Sequence, residues 1–164
     1  APAGVLPPLD VSRENVLRFR TFSKAYGMAG ARIGYAVGHR DLIAQFEKVR
    51  NHYGVNKLAQ AGALAALQDD RHLAWVIDSV AAARARITAI AAANGLAAIP
   101  SAASFVTVDM GRDGAHAREV LSRLLARDIF VRMPGVAPLD RCIRFGCGTA
   151  ADLDYLAEVL PQVL

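Results

Sequence analysis

Arg20-Thr-Phe-Ser-Lys-Ala-Tyr-Gly-Met-Ala-Gly-Ala-Arg-Ile-Gly-Tyr35 is the stretch that decides how this chain is read. Within it, Lys24 has hydroxyls at Thr21 and Ser23, a fixed cation at Arg32, and glycines at 27, 30 and 34. That set suits a lysine that bonds covalently to a phosphorylated carbonyl compound. A Schiff base forms only from the neutral amine, so such a lysine needs burial or a nearby positive charge to lower its proton affinity. Thr21, Ser23 and Arg32 suit a phosphate: two hydroxyl donors, and a guanidinium that engages two oxygens at once. Residues 16–22 interleave β-branched and aromatic residues with polar ones and read as a strand. Lys24 then stands just past the carboxyl end of a strand, where open α/β sheets bind ligands. The glycines match neither the dinucleotide fingerprint nor the phosphate loop, so they do not support nucleotide binding. A lone lysine after a strand is usually a solvated cap; only the joint pattern speaks for chemistry.

Outward from this stretch, residues 32–37 read as a short strand ended by Gly38. Residues 41–50 read as a helix with Leu42, Ile43, Phe46 and Val49 on one face, and 57–68 as an alanine-rich helix carrying Leu58, Leu64 and Leu67. From 71 to 94, Leu73, Val76, Ile77, Val80, Ala83, Ile87 and Ile90 recur every three or four residues. That spacing predicts one helix of roughly 24 residues, about 36 Å long. Gly95 suits its left-handed cap. So long a helix is expected to bridge two domains, the plain alternative being a packed bundle helix. Strands are predicted at 104–109, 129–133 and 141–146, and a helix at 116–127 with Val120, Leu121, Leu124 and Leu125 inward. Thr149-Ala-Ala-Asp152 reads as a capping box opening a last helix with Leu153, Leu156, Val159 and Leu160. Strand, helix, two strands and helix make a small α+β domain.

The lysine stretch, written Thr-Phe-Ser-Lys-Ala-Tyr-Gly-x-Ala-Gly-x-Arg-x-Gly-Tyr, resembles the pyridoxal-phosphate lysine motif of the class I/II aminotransferases of fold type I. Its wording is most similar to the histidinol-phosphate aminotransferase branch. The resemblance covers this chain as the C-terminal half of longer family members. It implies an α/β fold in which residues 1–70 belong to the large cofactor-binding domain, 71–95 form the interdomain helix, and 96–164 form a small C-terminal α+β domain. It implies pyridoxal 5′-phosphate as cofactor, with Lys24 as covalent anchor and proton carrier and Thr21, Ser23 and Arg32 as phosphate ligands. Cys142-Ile-Arg-Phe-Gly-Cys-Gly-Thr149 looks like the family's small-domain motif, whose arginine, here Arg144, holds the substrate α-carboxylate through two parallel hydrogen bonds. Without the resemblance, Arg144 reads as a strand arginine in a surface ion pair. Arg132 matches the position that reads a distal phosphate or acidic end in this branch, and reads equally as a solvated edge charge. The implied reaction moves an amino group between an amino acid and a 2-oxo acid in a homodimer. A decarboxylase of the same fold and a non-catalytic fragment are the alternatives.

Composition narrows the field. The net charge is +4 and the pI near 9.4, yet the arginines are scattered among acids with no basic, aromatic-interleaved run, so nucleic-acid binding is not expected. No apolar run reaches the roughly 18–20 residues a membrane span needs, and the opening Ala-Pro-Ala-Gly-Val-Leu-Pro-Pro lacks signal-peptide features. Cys142 and Cys147, an odd separation apart on one predicted strand-turn segment, point to opposite faces and read as reduced thiols of a cytoplasmic protein. His39, His52, His72 and His116 have no metal-ligand spacing and read as surface or capping residues, so no metal is expected. Tyr26 and Tyr35 flank the lysine without an assigned role.

Overall fold

Leu17–Thr21 (β1) and Gly34–Gly38 (β2) pair antiparallel, with Leu17 opposite Gly38 and Thr21 opposite Gly34. The structure is a computed structural model describing residues 4–164. β2 starts two residues later than the predicted 32–37, because Arg32 takes a left-handed backbone (φ 51°, ψ 49°) that a strand does not accommodate. The helix expected at 41–50 is shorter: α1 spans Arg40–Ala44 and tightens to a 3-10 turn over Gln45–Lys48. Leu42, Ile43 and Phe46 are only half-buried and Val49 is exposed, so little packing sustains α geometry there.

Asn56 opens α2 (Lys57–Leu67) by accepting the Ala59 N–H on its Oδ1 at 2.8 Å. The buried face of α2 carries Ala59 and Ala63, whereas Leu58, Leu64 and Leu67 are exposed. The 24-residue α3 (Asp70–Ala93) follows, with Asp69 Oδ1 accepting the His72 N–H at 2.9 Å. Its far end closes as expected. Gly95 is left-handed (φ 71°), its N–H reaches the Ala92 carbonyl at 3.0 Å, and the Leu96 N–H reaches Ala91 at 2.9 Å. The chain divides into two units inside this helix, one ending at Ile77 and the other running Asp78–Leu164. Ala83, Ile87, Ile90 and Ala91 are buried in the second unit, while Ile77, expected inward, is exposed.

In the second unit Ala97–Ile99 (β3), Phe105–Asp109 (β4) and Cys142–Gly146 (β5) form an antiparallel sheet in the order β3-β4-β5. β3 escapes sequence reading because alanine is a weak strand former and two of its three residues are alanine. The strand predicted at 129–133 reduces to one bridge, Arg132 opposite Arg144. Asp128 ends the preceding helix in a left-handed conformation (φ 59°), and Pro134 lacks an N–H, so one paired residue is all that fits between them. Helices α4 (Gly114–Leu125) and α5 (Ala150–Val163) are capped by Asp113 and by the Thr149–Asp152 box.

One core unites this unit: Val106 and Val108 of β4, Ile143 and Phe145 of β5, Ala117, Val120 and Leu124 of α4, and Leu153, Leu156, Val159, Leu160 and Val163 of α5. Leu125, expected inward, is exposed. Partial burial acts to raise the Asp109 carboxyl. Gly111 N–H and Arg141 Nε, each at 2.8 Å, outweigh it and hold Asp109 below the ordinary aspartate range.

Two outcomes follow for stability. Gly95→Ala forces a Cβ into the left-handed region and lowers unfolding free energy by about 1 kcal/mol, read by urea denaturation. Because the folded-state pKa of Asp109 is depressed, its contribution is present above the ordinary aspartate pKa and is lost as pH falls through the lowered value. Urea titrations from pH 7 to pH 2 therefore show a shallower acid loss in Asp109→Asn than in the parent.

Candidate active site

Phe22 is the only fully buried residue between Arg20 and Tyr35. Its N–H donates to the Ile33 carbonyl at 3.3 Å, its carbonyl accepts from Met28 N at 3.1 Å, and Tyr26 and Tyr35 lie against its ring at 5.5 and 5.7 Å between centroids. The loop carrying Lys24 is thereby fixed at both ends. Lys24 opens a tight turn in which Gly27, left-handed at φ 64°, donates its N–H to the Lys24 carbonyl at 3.1 Å. The Thr21 hydroxyl donates to Ser23 Oγ at 2.9 Å, and the Ser23 N–H donates to Thr21 Oγ1 at 3.0 Å. The two hydroxyls thus stand together directly before the lysine.

Lys24 is exposed and takes part in no ion pair among the described residues. Burial, one of the two expected means of keeping its amine neutral, is therefore not supplied here. The turn faces water because only Phe22 of this stretch is withdrawn from it. Arg32 is exposed too, with Nη1 donating to the Ala29 carbonyl at 2.7 Å and its other N–H groups without a hydrogen bond among the described residues. A left-handed arginine costs of order 1 kcal/mol of backbone strain, which places the guanidinium at the end of the loop rather than in β2. The donor set, two adjacent hydroxyls and a guanidinium, fits a phosphate, and a free amine on the same loop fits a carbonyl partner.

The second unit, taken by itself, brings the other two predicted residues together. Arg132 and Arg144 face each other across the isolated bridge, with Arg144 N to Arg132 O at 2.6 Å and Arg132 N to Arg144 O at 3.3 Å. Directly opposed residues share one face of a sheet, so both guanidinium groups leave the same side. Arg144 lies 4.5 Å over the Phe105 ring and Arg132 5.9 Å from the Phe130 ring. Neither is in an ion pair among the described residues.

The histidines divide. His39 Nδ1 accepts the Asp41 N–H, and the His116 N–H is held by Asp113, in keeping with helix-start positions. His72 is different from the surface or capping residue the sequence suggested. Its ring packs at 6.0 Å on Tyr26, and its Nε2 lies 2.9 Å from the Ala25 carbonyl. Only fold could show that contact, since it joins positions 47 residues apart. A recess at the start of α3 is lined by Asp69, Arg71, His72 and Trp75, none of them a predicted site residue. Burial pushes up the thiols of Cys142 and Cys147, both unpaired, which leaves them poor nucleophiles. No group of three or more metal-ligating side chains occurs among the described residues, and none of their helices is long and apolar enough to cross a membrane.

The family Aminotransferase class I and II matches residues 3–160. A histidinol-phosphate aminotransferase from Roseiflexus castenholzii is 39% identical over 154 residues, covering 93% of this chain and 42% of that protein. An aromatic amino acid aminotransferase from Mycobacterium avium is 36% identical over 154 residues, 88% of this chain and 43% of its own length. The chain therefore spans about two fifths of the curated relatives it matches. The crystal structure of a histidinol-phosphate aminotransferase from Sinorhizobium meliloti, in complex with pyridoxal-5′-phosphate, superposes with a TM-score of 0.86 at 51% identity, covering 91% of this chain and 41% of that one. The mixed α/β architecture is thus that of fold-type-I aminotransferases over this span.

Gly27→Ala carries a Cβ into the left-handed turn after Lys24 and lowers stability by about 1 kcal/mol, read as a reduced midpoint in thermal unfolding.

Proposed function

The chain belongs to the class I and II aminotransferase family, and on that premise we propose that the whole protein is a pyridoxal-phosphate-dependent aminotransferase. Its substrates are an amino acid, or an amino-alcohol phosphate such as histidinol phosphate, and a 2-oxo acid. The observation that carries this reading is the lysine turn: Lys24 directly follows the paired hydroxyls of Thr21 and Ser23, on a loop that ends at the Arg32 guanidinium. When bound, pyridoxal phosphate supplies the electron sink for the bond broken at the substrate's α carbon.

The chain's own residues do the rest. The Thr21 hydroxyl, which now donates to Ser23 Oγ, and the Ser23 hydroxyl would hold the phosphate oxygens, and Arg32 would add a charge-assisted pair of bonds. Lys24 Nζ would hold the cofactor covalently, and its free amine would be the base that takes the proton from the substrate α carbon. Arg144, already placed over the Phe105 ring, holds the α-carboxylate in the plane of its guanidinium. Arg132, on the same sheet face, takes the distal anionic group. A phosphate or second carboxylate there fits two arginines better than an apolar side chain does.

The named relatives are aminotransferases, which favours transfer over decarboxylation. The reading includes a cytoplasmic homodimer working in amino-acid biosynthesis, as the family resemblance implies.

The test uses the full-length protein. Borohydride reduction after mixing with pyridoxal phosphate fixes the cofactor on Lys24, and amino donors yield 2-oxo acids rather than CO2. Lys24→Ala abolishes both the reduced adduct and turnover; turnover that survives this change sinks the reading. Arg144→Lys loses the bidentate grip and raises KM for the amino acid about 10–100-fold, while binding of pyridoxal phosphate is unchanged.

A further inference from the structure

His72 leaves the first turn of α3 with its direction set, because Asp69 Oδ1 holds its backbone N–H at 2.9 Å. Its ring nitrogen Nε2 lies 2.9 Å from the carbonyl oxygen of Ala25. A carbonyl offers only lone pairs, so Nε2 carries the proton and donates. Tyr26 packs on one side of the ring, at 6.0 Å between centroids and 27° between planes, and Trp75 lies 5.8 Å from it at 43°. Tyr26 in turn meets buried Phe22 at 5.5 Å. The imidazole is therefore held by helix, aromatic neighbours and hydrogen bond together.

Its target is specific. Ala25 and Tyr26 are the two central residues of the turn that Lys24 opens and Gly27 closes. The turn's own hydrogen bond uses the Lys24 carbonyl, not that of Ala25. Without His72 the central peptide of the turn would have no side-chain anchor among the described residues, and the Lys24 Cα–Cβ direction would follow whichever tilt that peptide took.

We infer that His72 is a positioning residue for Lys24. It grips the Ala25 carbonyl and backs the Tyr26 ring, and so fixes the turn from which the Lys24 side chain departs. It acts on the amine only through the intervening peptide groups. The inference rests on the reading of Lys24 as the cofactor-binding lysine. Covalent capture and proton transfer both demand that the amine be held to within about 0.5 Å, which an unanchored turn does not provide.

The experiment uses the full-length protein with three substitutions. His72→Phe keeps the ring but removes the donor, His72→Gln keeps a donor near Nε2 but removes the ring, and His72→Leu removes both. Three quantities are read: the dissociation constant for pyridoxal phosphate by equilibrium dialysis, the pH midpoint of the visible absorbance of the lysine-bound cofactor, and the thermal midpoint of the cofactor-free protein. His72→Phe and His72→Leu are expected to weaken cofactor binding about tenfold, the loss of one hydrogen bond's worth of affinity, and to move the absorbance midpoint. His72→Gln is expected to stand closer to the parent on both. A purely structural role would lower the thermal midpoint alone.

If His72→Phe and His72→Leu match the parent in dissociation constant and absorbance midpoint, the inference is overturned whatever their thermal midpoints. It is likewise overturned if His72→Gln is no better than His72→Leu. Should His72→Phe not fold, His72→Asn replaces it under the same criteria, since its amide is too short to reach Ala25. A parent protein that yields no reducible adduct at Lys24 defeats the cofactor reading itself. A parent that yields one beside unaffected variants defeats only the role of His72.

Discussion

Phe22 keeps just 3% of its surface in water, and three pieces of backbone meet around it. Burying a phenylalanine contributes roughly 1.5–3 kcal/mol, and here that energy also organises a loop. The ring draws Tyr26 and Tyr35 to it, while its own N–H and carbonyl bind residues from the far side of the loop. Everything polar in the stretch hangs from this anchor. The hydroxyls of Thr21 and Ser23, the amine of Lys24 and the guanidinium of Arg32 therefore have defined places without being buried. An exposed group held by a buried neighbour is a common arrangement for a binding loop, since the scaffold supplies rigidity and the loop supplies chemistry.

The two units reach order by different means. In Asp78–Leu164 a sheet and three helical faces close a single core, and Ile143, Val120 and Leu124 lose all contact with water. Among the described residues up to Ile77 the buried side chains are Phe22, Ala59 and Ala63, and α2 turns three leucines outward. Helix α3 runs through both environments. Its apolar periodicity is continuous in sequence, but its burial is not: Trp75 and Ile77 are exposed, while Ala83, Ile87 and Ile90 are covered. Periodicity marks which side of a helix is apolar and says nothing about whether a neighbour covers it.

That distinction separates what sequence reading reached from what it missed. Caps with a local chemical cause were legible: the Thr149–Asp152 box and left-handed Gly95 stand where their residue types require. So were α3, α5 and the alternating strands β4 and β5, whose patterns are long or regular enough to exclude other readings. The helix expected at 41–50 shortened to α1 and a 3-10 turn for want of tertiary partners, and the strand expected at 129–133 shrank to one bridge because of flanking backbone constraints. β3 was invisible because its residues favour no strand until β4 lies beside them. Among candidate site residues, the pairing of Thr21 with Ser23 is local and could be read. The opposition of Arg132 to Arg144 and the reach of His72 to Ala25 depend on chain path, which no short motif encodes.

The position of Arg144 over the Phe105 ring has a consequence for recognition. A guanidinium whose carbon sits 4.5 Å over an aromatic ring has that side covered, so hydrogen-bond partners approach from the sides left open. The contact also restricts the arginine's torsional freedom during folding, before any partner arrives. Encounter then costs less entropy than for a waving side chain, and direction of approach becomes a criterion of selection beside sign of charge. A lysine at the same point would attract anions from any quarter and could not sort them by orientation.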